Sequence, residues 1–218
     1  MNLLSGLTKA YASLRAIPNE MRMQRLAANP PVLASRDDLP LLLNIRNLRG
    51  SGVEIGVCKA TFSEIVLGGW GGAKYHCVDP WREFPKDEYV DMANRPQDEQ
   101  DKIMAFAKAR LAKFGDKVEF VRKTSLDAAG DFANGSLDFV YIDGQHHYEA
   151  VRDDIHAWLP KVKPGGLLCG HDYLDGFIDN CQFGVKKAVD EFVKTKGWPL
   201  TVSLEMEFPS WFVFLPQA

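Results

Sequence analysis

The chain has 218 residues and a formal net charge of −3, with 46% hydrophobic and 25% charged residues. This composition is typical of a soluble globular protein, and the length allows one domain with a full hydrophobic core and an extension. The negative charge argues against a general nucleic-acid binder. No apolar run approaches the ~20 residues that a membrane span needs, and the N-terminus lacks the continuous apolar stretch of a signal peptide.

The four cysteines show no Cys-x-x-Cys spacing of the kind that metal sites use. Cys58, Cys77 and Cys169 lie in or beside predicted strands, where a free thiol packs as a small hydrophobic side chain. We therefore expect reduced thiols and a cytoplasmic protein.

Residues 1–50 are predicted to form an N-terminal helical extension, followed by a domain that spans residues 51–218. Apolar residues recur at helical spacing between residues 3 and 17, and shorter helices are predicted after Asn19 and from Leu39. The extension carries no motif that points to chemistry. We expect it to cover the cofactor, to contact a second copy of the chain in a homodimer, or to rest on a membrane surface.

A strand–helix–strand pattern opens the second segment. Val53 to Val57 is a short β-branched strand, an apolar helix follows, and His76 to Val78 forms the next strand. Gly56 allows a tight turn after the first strand. Asp79 follows the second strand, roughly 20 positions later, where an acidic side chain commonly binds the hydroxyl groups of a ribose.

The glycine turn differs from a dinucleotide-binding fingerprint. That fingerprint reads Gly-x-Gly-x-x-Gly, whereas this chain has Gly56 alone in the tight part of the turn and Ala60 at its end. The carboxylate of Glu54 would repel a phosphate and would suit an ammonium group. S-adenosylmethionine (SAM) carries a ribose and an amino acid but no phosphate. The turn alone is compatible with three interpretations: a SAM site, a site for another nucleotide, or a tight βα turn that binds no ligand.

The remaining pattern predicts an α/β fold with a mostly parallel sheet and a terminal hairpin. Helices alternate with predicted strands, and two consecutive strands close the chain; the strands after the first two lie at residues 118–121, 137–142, 167–170, 200–204 and 211–215. Ligands of such sheets lie outside the carboxyl ends of the strands. The residues expected to converge there are Gly56, Asp79, Ser125, Asp143, His171 and Asp172.

Asp143 and Asp172 follow the predicted fourth and fifth strands. If these strands are neighbours, the two carboxylates lie roughly 5 Å apart and repel each other unless a proton or a cation separates them. Mg²⁺ would suit such a pair, with His171 as a third ligand. In the alternative interpretation, Asp143 begins a turn and Asp172 caps the next segment.

Two histidines, His146 and His147, follow Asp143 on the same predicted loop. Either could take a proton from a substrate hydroxyl near neutral pH, and His171 is the other candidate base. Alternatively, His146 only caps the helix that begins around Tyr148.

Residues 50–215 resemble the class I SAM-dependent methyltransferases, and more narrowly the Methyltransf_24-type branch. This branch is related to macrocin-type and aminocoumarin sugar O-methyltransferases. Several motifs carry the resemblance in the same order and with similar gaps: Tyr141-Ile142-Asp143-Gly144-Gln145-His146-His147-Tyr148, Asp154, Leu159-Pro160, Pro164-Gly165-Gly166, Gly170-His171-Asp172-Tyr173 and Gly184-Val185-Lys186-Lys187.

The resemblance implies a Rossmann-like, doubly wound sheet of seven strands in the order 3-2-1-4-5-7-6, with the last strand antiparallel. It implies that SAM contacts Glu54, Gly56, Asp79 and Ser125, with Asp143 at the same site. In metal-dependent relatives a divalent cation such as Mg²⁺ is held at the positions of Asp143, His171 and Asp172.

Two positions depart from the sugar-methylating relatives. Gln145 stands where they usually carry a general-base Asp, and His171-Asp172 replaces their Asp-Asp pair. The sequence therefore names His146, His171 and Asp143 as catalytic candidates.

The function expected from the sequence is SAM-dependent O-methylation of a small hydroxylated or sugar-type acceptor. The alternatives are a non-catalytic SAM-binding protein and an NAD(P)-dependent oxidoreductase. Aromatic residues after the strand ends are expected to line the acceptor pocket: Trp81, Phe84, Tyr89, Tyr173 and Phe177.

Overall fold

The computed structural model describes residues 18–85, 91, 93–178 and 181–217. The helix that we predicted between residues 3 and 17, with its suggested contact to a second copy of the chain, lies outside these residues. None of the helices in the described part of the chain combines the length and apolar composition that crossing a lipid bilayer requires.

Helices alternate with strands through most of the described chain. The α-helices are α1 (Asn19–Ala27), α2 (Leu39–Ile45), α3 (Thr61–Gly69), α4 (Gln97–Leu111), α5 (Ser125–Ala129), α6 (Tyr148–Trp158) and α7 (Val185–Lys196). Short 3-10 helices span Arg36–Asp38, Ala112–Lys117 and Leu159–Lys161. The strands are β1 (Ser51–Ile55), β2 (Lys74–Val78), β3 (Val118–Val121), β4 (Leu137–Ile142), β5 (Val162–Gly170), β6 (Asp175–Ile178), β7 (Cys181–Gly184), β8 (Thr201–Val202) and β9 (Trp211–Phe214).

Seven strands form one sheet in the order β3-β2-β1-β4-β5-β9-β8. The first five strands are parallel, and β9 runs antiparallel to both β5 and β8. This arrangement confirms the predicted doubly wound, Rossmann-like sheet with an antiparallel last strand. The carboxyl ends of β1, β4 and β5 are in register, since Ile55 pairs with Ile142 and Ile142 pairs with Gly170.

Apolar side chains cover both faces of the sheet. One face packs against α5, α6 and α7, and the other packs against α3, α4 and the segment before β1. That segment contributes five fully buried leucines: Leu26, Leu33, Leu39, Leu42 and Leu43. Burying one such side chain stabilises the fold by about 2 kcal/mol. Residues 18–50 therefore share the core of the domain that follows them.

The structure changes a few of the predicted boundaries. β1 begins and ends two residues earlier than predicted, so Gly56 lies just beyond it. The sequence analysis missed the β6–β7 hairpin, a separate two-stranded sheet inserted between β5 and α7. Its residues show no clear apolar alternation, and Phe177 on β6 is 71% exposed.

Candidate active site

A cavity of about 470 Å³ lies at the carboxyl edge of the parallel strands. Four of the predicted site residues line it, each just beyond the end of a different strand: Gly56, Asp79, Ser125 and Asp143. The lining is acidic: among the described residues it contains Arg82 and five carboxyl side chains, those of Asp79, Asp143, Glu149, Asp153 and Asp154. A volume of this size is ordinary for a cofactor or small-ligand site.

Gly56 joins β1 to the loop that follows. Its φ of +83° belongs to the left-handed region, and a Cβ there would lie 1.9 Å from the carbonyl oxygen of Asp143. Its amide donates to the carbonyl of Val78, and the amide of Asp143 donates to the carbonyl of Ile55. Glycine thus lets the turns after β1 and β4 approach each other closely.

Asp79 connects the turns after β1 and β2. One carboxylate oxygen accepts the amide hydrogen of Cys58 at 2.8 Å, and the other accepts that of Trp81 at 2.7 Å. Burial raises the pKa of Asp79, while these backbone hydrogen bonds act in the opposite direction. The side chain of Trp81 is fully buried, so it belongs to the core and not to the acceptor pocket where we expected it.

Glu54 does not line the cavity. Its carboxyl group is 1% exposed, and Oε2 accepts hydrogen bonds from the hydroxyl groups of Ser63, at 2.6 Å, and of Tyr75. Burial raises its pKa to about 7, although these hydrogen bonds lower it. The structure therefore separates Glu54 from the other predicted cofactor residues, because its side chain points to the sheet face that α3 covers.

Ser125 begins α5, and its hydroxyl accepts the indole N–H of Trp158 at 2.9 Å. Ser125 also hydrogen-bonds to Asp154, whose pKa burial raises to about 7. The sequence analysis gave Asp154 no role. A signal was present, since Asp154 lies on the face of α6 that buries Val151 and Trp158, and an acidic side chain is rare on such a face.

A polar cluster adjoins the cavity at the ends of β4 and β5. His171 Nδ1 lies 2.9 Å from Asp172 Oδ1 and 3.6 Å from Asp143 Oδ1. His146 Nε2 lies 3.0 Å from Asp172 Oδ2, and its Nδ1 lies 3.2 Å from Asp91 Oδ2. The imidazole of His171 thus separates the two carboxylates that we expected to repel each other.

The pKa values of the two histidines are raised. Burial lowers the pKa of His146, but hydrogen bonds to Asp172 and Asp91 outweigh burial and raise it to about 10. For His171, hydrogen bonds to Asp143 and Asp172 outweigh burial in the same way and raise the pKa to about 9. Both rings are cations at neutral pH in this arrangement, which does not favour their predicted role as a base.

His146 does not cap α6. The helix begins at Tyr148, and the side chain of the preceding residue, His147, makes no capping hydrogen bond. The ring of His146 instead stacks on Phe183, with the ring centroids 4.8 Å apart. Gln145 and His147 line the cavity.

The sequence analysis missed Arg36, which comes from the segment before β1. Its guanidinium NH1 lies 3.1 Å from Asp143 Oδ2. No local sequence motif predicts this contact, because Arg36 and Asp143 are 107 positions apart in the chain. The potential ligand set also differs from the predicted one: Asp143, His146 and Asp172 place possible metal-binding atoms within 4.8 Å of one another, while His171 is not in this group.

Of the aromatic residues predicted for the acceptor pocket, Phe84 lines the cavity. Tyr173 is half-buried and donates a hydrogen bond from its hydroxyl to Asp190. Tyr89 lies outside the described residues.

The family model described as "Methyltransferase domain", Methyltransf_24, matches residues 52–173, which is more than half of the chain. The chain belongs to this methyltransferase family. Uncharacterized protein y4gI of Sinorhizobium fredii (strain NBRC 101917 / NGR234) is 26% identical over 130 residues, or 60% of this chain. The chain spans 13% of the length of this curated relative.

Known structures share the methyltransferase fold. An O-methyltransferase family protein from Burkholderia thailandensis superposes with a TM-score of 0.60 and 16% identity, over 84% of this chain and 55% of that one. The O-methyltransferase from Bacillus cereus in complex with SAH (S-adenosylhomocysteine) superposes with a TM-score of 0.57 and 15% identity, over 97% of this chain and 90% of that one. At these identities the likeness establishes the fold alone.

Proposed function

We propose that this methyltransferase binds SAM in the acidic cavity and methylates an oxygen of a small hydroxylated acceptor. The observation that carries the proposal is the cavity itself, in which carboxylates surround a close βα turn with one glycine. SAM presents a sulfonium and an ammonium group, and carboxylates attract both. The same lining would repel the pyrophosphate of a dinucleotide, and family membership also disfavours the oxidoreductase alternative.

We assign each part of the cofactor to different residues of the cavity lining. Asp79 follows β2, where it would accept hydrogen bonds from ribose hydroxyl groups. Ser125 and Leu126 line the end that would hold the adenine, and Asp143 lies beside Gly56, where a carboxylate would attract the ammonium group. Glu54 would not contact the cofactor. It would stabilise the turn after β1 through its hydrogen bonds with Ser63 and Tyr75 on the sheet face that α3 covers.

When bound, SAM supplies an electrophilic methyl group that an oxygen nucleophile takes up while SAH leaves. The chain provides groups for the acceptor oxygen where the cavity meets the polar cluster. His171, whose Nδ1 faces Asp172 and Asp143, would donate a hydrogen bond from Nε2 that stabilises an oxygen anion, and His146 would add positive charge nearby. Asp143 borders both the cavity and the cluster, and we assign it to orient the acceptor, whose hydroxyl loses its proton to solvent before the oxygen takes up the methyl group. Cationic imidazoles favour an acidic hydroxyl, such as that of a phenol, over the alcohol of a sugar.

Calorimetric titration with SAH tests the cofactor assignment. We expect binding to the wild-type protein and at least about tenfold weaker binding to Asp79→Ala, which corresponds to 1.4 kcal/mol or more. Asp98→Ala removes a carboxylate from the exposed surface of α4, where it pairs with Lys102, and should leave the affinity unchanged. Unaltered SAH affinity of a folded Asp79→Ala variant would contradict the site. A panel of phenols and sugars, with SAH release as the readout, then tests turnover; binding without turnover on any acceptor would favour the non-catalytic alternative.

A further inference from the structure

Arg36 is held against Asp143 by contacts with three parts of the chain. Its side chain is 28% exposed, and its guanidinium carbon lies 4.8 Å from the ring centroid of Phe62 on α3. Its backbone amide donates to Oε2 of Glu205, in the connection between β8 and β9, at 3.1 Å. The hydroxyl of Ser35 caps the 3-10 helix that carries it. These contacts fix the position of Arg36 next to Asp143.

Every oxygen of the Asp143–Asp172 pair faces a nitrogen atom. Asp143 Oδ2 faces the guanidinium of Arg36 at 3.1 Å, and Asp143 Oδ1 faces His171 Nδ1 at 3.6 Å. Asp172 Oδ1 faces the same His171 nitrogen at 2.9 Å, and Asp172 Oδ2 faces His146 Nε2 at 3.0 Å. The guanidinium of Arg36 stays charged at any pH that a folded protein tolerates, so it is a permanent counter-ion for Asp143.

These contacts do not fit a resident divalent cation. Magnesium needs oxygen ligands at about 2.1 Å in near-octahedral geometry, and imidazole nitrogen is a weak ligand for it. To bind an ion, the Asp143–His146–Asp172 group would have to release the N–H donors that now face its carboxylate oxygens. Arg36 would then lie next to the ion, and the two positive charges would repel each other.

We propose that Arg36 is a positioning residue that orients Asp143 and supplies it with a permanent positive counter-charge in place of a divalent cation. The site would therefore operate without a metal, and a residue outside the family-matched segment 52–173 would complete it. This inference rests on the proposed function, because it concerns how Asp143 serves the SAM and acceptor sites.

Two measurements on the full chain test the proposal. Electron paramagnetic resonance would follow the binding of Mn²⁺ without cofactor, and calorimetry would follow SAH binding in EDTA and then in Mg²⁺. For the wild-type protein we expect no stoichiometric Mn²⁺ binding and the same SAH affinity in both buffers. Mn²⁺ binding that Asp143→Asn abolishes would overturn the proposal.

Substitutions of Arg36 test the positioning role directly. Arg36→Met keeps an apolar stem over Phe62 and removes the charge. We expect SAH affinity in EDTA to fall about tenfold, because Asp143 loses the contact that orients its carboxylate toward the ammonium group. Arg36→Lys should restore part of the affinity. Arg22→Met is the matched control, because it removes another Arg–Asp pair from the same segment, with Asp38, away from the cavity.

The outcomes separate a positioning role from a structural one. Arg22→Met should lower thermal stability without changing SAH affinity. If folded Arg36→Met bound SAH as the wild type does, Arg36 would have no positioning role; if Arg36→Met did not fold, Arg36→Lys and the Mn²⁺ measurement would still decide. If the wild-type protein did not bind SAH, the proposed function would be refuted. The Mn²⁺ measurement would still test whether the site binds a metal, because it uses no cofactor.

Discussion

Replacing Glu54 by glutamine tests whether this buried carboxyl group supports the turn after β1 in its protonated form. Both hydrogen bonds that Glu54 accepts, from Ser63 and Tyr75, end on the same oxygen, Oε2. The amide oxygen of glutamine can accept both. Glu54→Gln therefore retains the size of the side chain and an oxygen that can accept both hydrogen bonds, and it removes the ability to ionise.

The magnitude follows from the pKa of Glu54, which burial raises from 4.5 to about 7. A group whose pKa is higher in the folded state contributes stability that is fully present below its unfolded pKa. This contribution is lost as the pH rises through the folded pKa. Between pH 5 and pH 8 the wild type should therefore lose about 2 to 3 kcal/mol relative to Glu54→Gln, at about 1.4 kcal/mol for each pKa unit.

Urea unfolding at pH 5 and at pH 8 measures this difference. Effects of the other titrating groups are common to both proteins and largely cancel when the two free energies of unfolding are subtracted. The control is Glu99→Gln, which makes the same substitution at a side chain that is about half exposed on α4 and is not buried in the core. A Glu54→Gln difference that does not change with pH would refute the reasoning.

Two substitutions test the packing around the cavity. Gly56→Ala should lower the free energy of unfolding by at least about 3 kcal/mol, because the new Cβ would lie 1.9 Å from the carbonyl oxygen of Asp143. Gly115→Ala is the control, because Gly115 also has a positive φ, of +54°, but an added Cβ there would meet no atom within 4 Å. An equal loss of unfolding free energy in both variants would contradict the steric argument. Trp158→Phe removes the hydrogen bond to Ser125 and part of a fully buried ring, so it should cost at least about 1 kcal/mol in urea unfolding. It should also weaken SAH binding, and unchanged SAH affinity would show that Ser125 does not contribute to the cofactor site.

The sequence predicts the parallel sheet well because its strands carry unambiguous signals. The run from Leu137 to Ile142 is apolar at five of six positions and ends at Asp143-Gly144, and its predicted and observed bounds agree. The β6–β7 hairpin gives no such signal, since β6 is largely exposed and forms by pairing with β7 and packing near α7. Strand pairing of this kind depends on tertiary contacts that a local pattern does not contain.

The candidate site was predictable where it depends on strand ends. Gly56, Asp79, Ser125 and Asp143 line one cavity because the strands before them end at the same edge of the sheet. Glu54 was misplaced because the pleat of β1 directs successive side chains to opposite faces, and position 54 faces α3. Attention to Ser63, a buried hydroxyl on the inner face of α3, could have indicated this.

Arg36 contacts the candidate site from outside residues 52–173, the segment that the family model matches. Its place depends on the buried leucines that fix the extension to the core and on Glu205, which lies beyond the matched segment at the other end of the chain. The amide of Leu204 also donates to the carbonyl of Leu33, so the extension and the β8–β9 connection hold each other next to Asp143. Segments before and after the family domain thus contact each other beside Asp143, a carboxylate that borders both the cavity and the polar cluster. If Arg36 positions Asp143 as we propose, a substitution in either segment changes SAH affinity while every motif of the family domain stays intact.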